Sequence, residues 1–239
     1  MDEMRQEAKD HHQHFDRSQL IIPRLNILQD LSPQIKERRA EYVPGAKSGH
    51  IYNNVAGTID EEITFIPAKF SVRYIAWKIN RGGLVDQNLT LEEVEENFEP
   101  AGLGMWSGMM SPRPGEPAVQ VEVIETPEWV GIAKGDGWGP MPVAISFPIT
   151  KAKTARKINT AIDMNMVEDE GGDFRVPIFY NKFTLKTAIE QSGENEWFGW
   201  SVQHHGKDYA QPRYKDLAKE LKIAFDEGKT EVDESGAVR

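Results

Sequence analysis

The stretch MPVAISFPITKAKTARKINTAI, residues 141–162, joins a strongly apolar run to a basic one. An apolar run of this length is typical of a buried strand. Thr150 can cap a helix that follows the strand. At about 100° per residue, Ala155, Ile158 and Ile162 share one face of that helix. The stretch therefore predicts a buried strand followed by a helix whose apolar face packs on a sheet.

The same helix carries an unusual charge. No carboxylate lies between Asp136 and Asp163, whereas this interval contains four cations, namely Lys151, Lys153, Arg156 and Lys157. The last three share the face opposite the apolar one. Cations near a helix N-terminus oppose the helix macrodipole, so helix stability alone does not favour this arrangement. A solvated surface and an anion-binding surface are both open interpretations.

Strands separated by turn-forming residues surround this helix. Residues rich in Ile, Val, Phe and Trp predict strands at 20–28, 50–53, 63–79, 119–124 and 128–132, and a long hairpin from 174–189 and 197–202. Pro67 predicts a break or a bulge. Pro212 and Gly228 bracket a C-terminal amphipathic helix. This order predicts a mainly β (α+β) fold, an OB-like antiparallel barrel with a mid-chain helix and a C-terminal helix, and an open β-sandwich is the alternative.

The domain organisation follows from composition. Residues 1–19 are polar, contain His11, His12 and His14, and are expected to be flexible. Residues 20–228 are expected to form a single domain. Residues 229–239 read as a flexible polar tail.

Residues 80–117 read as an acidic insertion in this domain. From Glu92 to Glu128 the single cation is Arg113. Thr90 and Glu93 form a capping-box pattern, which predicts a short helix ending at Phe98. The glycines and prolines of 100–117 predict a loop.

Composition and motifs exclude several classes of protein. The 239 residues carry a net charge of −10, so any binding of nucleic acid requires a local cationic surface. There is no cysteine, which excludes disulfides and thiolate chemistry.

Catalytic and phosphate-loop signatures are missing, so no enzymatic activity, cofactor or metal is expected. The acidic loop 164–173 lacks the ligand pattern of an EF-hand. No apolar run is long enough to span a membrane, and a cytoplasmic protein is expected.

Cations and aromatic residues occur together on three predicted elements. Single-stranded nucleic acid is bound by cations along its phosphates and by aromatic rings under its bases. The alternative for each tryptophan is simple core packing. The candidate nucleic-acid-binding residues are Lys69, Arg73, Tyr74, Trp77 and Lys78 on the first strand, Lys151, Lys153, Arg156 and Lys157 on the helix, and Lys182, Lys186, Trp197 and Trp200 on the hairpin.

Four segments carry a resemblance to a known group of proteins. They are IIPRLNILQDLSPQ (21–34), PGAKSGHIYN (44–53), ITKAKTARKINTAI (149–162) and FTLKTAIEQSGENEWFGWSVQ (183–203). They resemble small proteins of tailed bacteriophages whose genes lie among replication and recombination genes. The resemblance implies a phage single-stranded DNA-binding protein with an OB-type core. It assigns no binding residue individually.

The resemblance also implies a place and partners for the protein. Such a protein coats single-stranded DNA in the host cytoplasm during replication or recombination and contacts other phage proteins of these processes. Members of this class often end in an acidic tail with a terminal aromatic residue, whereas this chain ends in Arg239. Tail-mediated partner binding is therefore in doubt, and self-association is open. The alternatives are a phage structural or assembly protein, an acidic inhibitor of a host protein, and a metal-dependent nuclease.

Overall fold

A computed structural model describes residues 21–79, 83–148 and 151–232. The strands are β1 (Ile21–Ile22), β2 (Leu25–Ile27), β3 (Ile51–Asn53), β4 (Ile59–Asp60), β5 (Glu62–Lys78), β6 (Leu84–Leu89), β7 (Glu99–Gly102), β8 (Met105–Met110), β9 (Val119–Lys134), β10 (Met141–Ser146), β11 (Met166–Asp169), β12 (Gly172–Arg175), β13 (Phe183–Ser192), β14 (Asn195–His204) and β15 (Glu231–Val232). The α-helices of the described residues are α1 (Leu91–Asn97), α2 (Ala152–Asp163) and α3 (Pro212–Asp226). The predicted histidine-rich segment, the Thr150 cap and most of the predicted tail lie outside the described residues.

The central sheet confirms the predicted OB-like α+β fold. Strands β5 and β9 form a long antiparallel pair, β10 pairs with β9, and β13 pairs with β5 and β14. In chain order the five strands β5, β9, β10, β13 and β14 thus have the pairing of a Greek-key barrel, with α2 between the third and fourth. A register shift between Pro67 and Lys69 confirms the bulge that the proline predicts.

A small sheet of β2, β3 and β4 bridges β10 and β14. The backbone N–H of Ala144 in β10 donates to the Pro23 carbonyl at 2.9 Å. The side chain of Gln29 exchanges two hydrogen bonds with the backbone of Phe198 in β14, at 2.8 and 2.9 Å. These contacts enclose one hydrophobic core, to which α2 contributes Ala155 and Ile158. These apolar side chains therefore hold helix α2 against the barrel interior.

Helix α3 packs on the outer surface of the same sheet. Ile66 and Ala68 of β5 and Val130 of β9 form a second core with Ala218 and Leu221 of α3. Side chains of a strand alternate between its two faces, so this core is separate from the barrel interior. The two helices α2 and α3 therefore cover opposite faces of the sheet.

The acidic insertion has more structure than its sequence predicts. The Thr90 hydroxyl accepts from the Glu93 backbone N–H at 3.2 Å, and the Glu93 carboxylate accepts from the Thr90 N–H at 2.8 Å, which confirms the capping box. The predicted loop over 100–117 is wrong, because β7 and β8 form a hairpin that adds to β9. Gly104 makes their turn with φ +67°.

A second hairpin also replaces a predicted loop. Strands β11 and β12 occupy the acidic segment that follows α2, and Phe174 belongs to β12 rather than to the long hairpin of β13 and β14. These strands are largely exposed and polar. They lack the apolar alternation by which a half-buried strand is recognised.

Candidate nucleic-acid interface

The outer face of α2 presents three free cations. Lys153, Arg156 and Lys157 are exposed, whereas Ala155 and Ile158 on the inner face are 1% and 0% exposed. Among the described residues, none of the three cations has a hydrogen bond or an ion pair. The first turn of the helix has no acidic residue and its N-terminal residue makes no side-chain cap. Both the side chains and the helix dipole therefore place positive potential at this surface.

Lys151 lies just before this face in an apolar groove. Ile189, Trp197 and Phe198 of the hairpin formed by β13 and β14 line the groove beside it. Burial lowers the pKa of the Lys151 ammonium, and the nearby Glu190 carboxylate partly offsets this effect. Glu190 also accepts a hydrogen bond from the indole N–H of Trp197 at 2.9 Å. Two of the candidate residues, Lys151 and Trp197, are thus brought together at the start of α2.

A cleft of about 380 Å³ lies between α2 and the central strands. Arg156 forms its cationic wall, and Phe70 and Val72 of β5 form an apolar floor. The Leu103 side chain at the turn of β7 and β8 is 83% exposed and completes the apolar lining. Asn159 of α2 accepts a hydrogen bond from the Trp129 indole N–H at 3.0 Å, which holds the helix against the floor.

The far side of this cleft is acidic. We call residues 83–118 the acidic arm; it contains seven carboxylates and one arginine. Glu125 of β9 lines the cleft next to the arm. Burial raises the pKa of the Tyr74 hydroxyl, and Glu125 and Glu95 raise it further. The cleft therefore has one cationic wall and one acidic wall.

Two candidates of β5, Lys69 and Arg73, do not lie beside α2. Alternation along β5 places both on the face that α3 covers. Lys69 Nζ lies 2.8 Å from Asp226 of α3. Arg73 donates to the Gln87 carbonyl at 3.1 Å and lies 3.8 Å from Glu128. Both side chains are engaged in holding neighbouring elements on the sheet.

The remaining candidates of β5 are packing residues or lie apart from α2. The Tyr74 ring meets Trp106 edge-on, with centroids 5.7 Å apart, in the core beneath α1. Trp77 is 8% exposed and packs with Ile75 and Ile124, so its ring presents no face to a base. Lys78 ends β5, far along the strand from the cleft floor.

The candidates of the long hairpin are also dispersed. Trp200 is 5% exposed and packs against Phe147, so a stacking role for it is not compatible with this structure. Lys186 pairs with Glu62 at 2.5 Å in a polar cleft that α2 does not line. Lys182 pairs with Asp208. These three candidates therefore do not share one surface with α2.

The usual ligand surface of OB folds is occupied in this chain. Oligonucleotides commonly bind over the second and third barrel strands, here β9 and β10. Their outward residues Val130, Ile132 and Ala144 are buried under α3. The runs at 129–133 and 143–147 are apolar on both faces and lack the polar alternation of a strand with one face in water. This pattern is the sequence signal that could have predicted that another element covers the outer face of β9 and β10.

Two other features of the described residues bear on function. No helix in this part of the chain has the length and apolar character that a membrane crossing requires. The same residues contain no group of three or more His, Asp or Glu side chains arranged to hold a metal ion.

Comparison with known proteins places the chain in a phage family. No curated protein and no solved structure matches it. Residues 1–231 match the family model described as "Pam3 phage gp34-like protein". Since this match covers nearly the whole sequence, the chain belongs to the Pam3 phage gp34-like protein family.

Proposed function

We propose that this phage protein binds single-stranded DNA with little sequence preference and acts in phage replication or recombination. The observation that carries the proposal is the outer face of α2, where Lys153, Arg156 and Lys157 are exposed and free of carboxylate partners in the described structure. They lie on a chain of net charge −10. An uncompensated cationic helix start opposes helix stability, and an anionic ligand supplies the missing compensation.

The phosphate backbone is the group that this face fits. Each cation that neutralises a phosphate releases condensed counterions, so binding weakens as salt rises. The backbone N–H groups at the start of α2 add to the attraction for anions. Such contacts do not read sequence, which is consistent with a general single-strand binder.

The cleft beside α2 supplies surfaces for bases. Phe70, Val72 and Leu103 offer an apolar floor next to Arg156, and Trp197 offers a partly exposed ring next to Lys151. A base that stacks on an aromatic ring contributes about 1–3 kcal/mol. The acidic arm on the far side repels a second phosphate backbone, so the arrangement favours single strands over duplex.

The test removes the three free cations together. The variant Lys153→Gln/Arg156→Gln/Lys157→Gln is expected to bind a fluorescent oligo(dT) at least about tenfold more weakly at moderate salt. With three fewer phosphate contacts, the slope of log K against log salt should fall by about 2, at about 0.7 per contact for a single strand. Fluorescence anisotropy across a salt series measures both quantities.

A matched control separates this site from overall charge. Lys36, Arg38 and Arg39 are also three exposed cations, and they lie outside α2 and its cleft. Their triple glutamine variant has the same net charge and is expected to keep the wild-type affinity and salt slope. Equal weakening in both triple variants would show a general charge effect, and absence of wild-type binding at low salt would refute the proposed function.

A further inference from the structure

Two partly exposed tyrosine rings lie beyond the C-terminal end of α2. Tyr180 ends the 3₁₀ turn Ile178–Tyr180, and Tyr209 lies in the segment between β14 and α3. Their ring centroids are 6.3 Å apart and their planes meet at 87°, an edge-to-face pair. The ammonium of Lys215 lies 5.0 Å from the centroid of the Tyr180 ring, on one face of it. The rings and the lysine form a fixed cation–aromatic group.

Cations lie close in sequence to this pair. From residue 204 to 219 the chain has four cations and two carboxylates. Lys207 and Arg213 are exposed, and neither has an ion pair within the described ranges. The carboxylate of Asp208 is paired with Lys182, and that of Asp216 lies 3.9 Å from the ammonium of Lys215, so neither is an ion-pair partner of Lys207 or Arg213. We call Tyr180, Tyr209, Lys207, Arg213 and Lys215 the cation–tyrosine patch.

A buried amide joins the patch to α2. Asn181 is fully buried, and its Oδ1 accepts from Asn165 Nδ2 at 2.8 Å, two residues beyond the end of α2. The same Oδ1 lies 3.0 Å from His204 Nε2, at the end of β14. Asn181 Nδ2 donates to the carbonyls of Pro177 and Ile178, each at 3.2 Å. Tyr180 is the neighbour of Asn181, so its position relative to the end of α2 is fixed.

We infer that the cation–tyrosine patch is a second contact for single-stranded DNA, reached by a strand that first follows the cationic face of α2. This inference rests on the proposed function. Rings for bases beside cations for phosphates are the combination that single-strand binding requires. The strand must span α2, whose 12 residues extend about 18 Å, before it reaches the patch. The patch therefore contributes more to the binding of long oligonucleotides than to that of short ones.

The experiment compares two oligonucleotide lengths and two variants. Sites on OB folds cover roughly 4–16 nucleotides, so oligo(dT) of about 6 and about 20 nucleotides separate one contact from two. Lys207→Gln/Arg213→Gln is expected to bind the 20-mer about fivefold or more weakly and to lose about 1.4 from its salt slope, at about 0.7 per contact. Adding Tyr209→Ala should weaken the 20-mer about tenfold further. Both changes should weaken binding of the 6-mer less than binding of the 20-mer.

The outcomes distinguish this inference from the proposed function. If the wild type binds neither oligonucleotide, the proposed function fails. If the wild type binds both, and the Lys207→Gln/Arg213→Gln variant binds the 20-mer like the wild type, the inference about the patch alone is overturned. The inference would also be overturned if this variant lost binding to poly-glutamate while it still bound the 20-mer like the wild type. That result would assign the patch to an acidic protein partner. The double variant changes only exposed cations, so its fold is expected to be intact.

Discussion

Arg24 is a cation enclosed on the outer side of the barrel. It is 2% exposed, and its Nη1 donates to Glu128 Oε2 at 2.6 Å, while Glu128 is itself 3% exposed. Ser146 of β10 donates to the same carboxylate at 3.0 Å. The Arg24 backbone N–H donates to Asn54 Oδ1 at 2.7 Å. One side chain therefore joins the segment between β1 and β2 to both β9 and β10.

Removing one member of this buried pair should be more damaging than removing both. Arg24→Met leaves the enclosed Glu128 with the longer 3.8 Å contact to Arg73 in place of its 2.6 Å contact to Arg24, and is expected to lower the free energy of unfolding by about 3–5 kcal/mol. Arg24→Met/Glu128→Leu replaces the pair by apolar side chains and should regain most of that loss. Urea unfolding followed by tryptophan fluorescence measures both values. A double variant as unstable as the single one would contradict this account.

Helix α2 shows which structural features a local sequence pattern can predict. The spacing of its apolar and basic residues predicts an inner face of Ala155, Ile158 and Ile162 and an outer face of Lys153, Arg156 and Lys157. The structure buries the first two inner residues, half-buries Ile162 and exposes the three cations. The prediction holds because helical periodicity depends only on neighbours within two turns. The candidate face of α2 could thus be located from the sequence, but the cleft beside it could not.

Helix α1 is short and therefore depends on its capping box for stability. Seven residues are too few for a helix to be stable without support. Its support comes from the reciprocal bonds of Thr90 and Glu93 and from Val94 and Phe98, which pack in the core beneath it.

Thr90→Ala should therefore destabilise the acidic arm. It removes the hydroxyl that accepts the Glu93 N–H, at an expected cost of about 1 kcal/mol. Thr90→Ser retains an accepting hydroxyl and serves as the control. Hydrogen exchange of the amides of residues 91–98 should accelerate in the alanine variant and stay near wild type in the serine variant. Unchanged exchange in Thr90→Ala would show that core packing alone holds this helix.

In the part of the chain that the structure describes, the two larger cores lie on the two faces of the central sheet, and a smaller core lies beneath α1. The barrel interior includes α2, and the outer core includes α3. Strands β5 and β9 contribute to both, since Phe65 faces inward while Ile66 faces outward. Because the same strands carry both cores, loss of one should disturb the other, and the domain should unfold as a unit.

Leu221→Ala tests this shared architecture. Leu221 of α3 is 6% exposed in the outer core, so its truncation is expected to cost about 2–5 kcal/mol. Far-UV circular dichroism and tryptophan fluorescence should shift together to a lower urea midpoint, with one transition each. Ile223→Ala is the matched control, because Ile223 lies on the same helix but is 55% exposed. Separate transitions for the two probes would show that α3 unfolds independently.

Much of the fold follows from patterns within single segments. The order of strands and helices, the bulge at Pro67, the capping box of α1 and the alternating faces of β5 all depend on residues close in sequence. Strands that lie exposed at the edges, such as β7, β8, β11 and β12, escape such patterns. Their backbone hydrogen bonds form regardless of side-chain polarity, so no apolar alternation marks them.

Which residues come together at one surface depends on tertiary packing. Sequence patterns assign Lys69, Arg73 and Trp77 to one face of β5, and this assignment is correct. Which helix covers that face depends on how the sheet curls and where α2 and α3 pack. The contacts of α3 with β5 join residues more than a hundred positions apart, such as Lys69 and Asp226, which are 157 positions apart. Helix α3 covers this face and α2 lies on the other. Tertiary packing therefore separates Lys69 and Arg73 from the cations of α2, with which the sequence analysis had grouped them. What remains free on the described helix α2 is the outer face that its own sequence predicts.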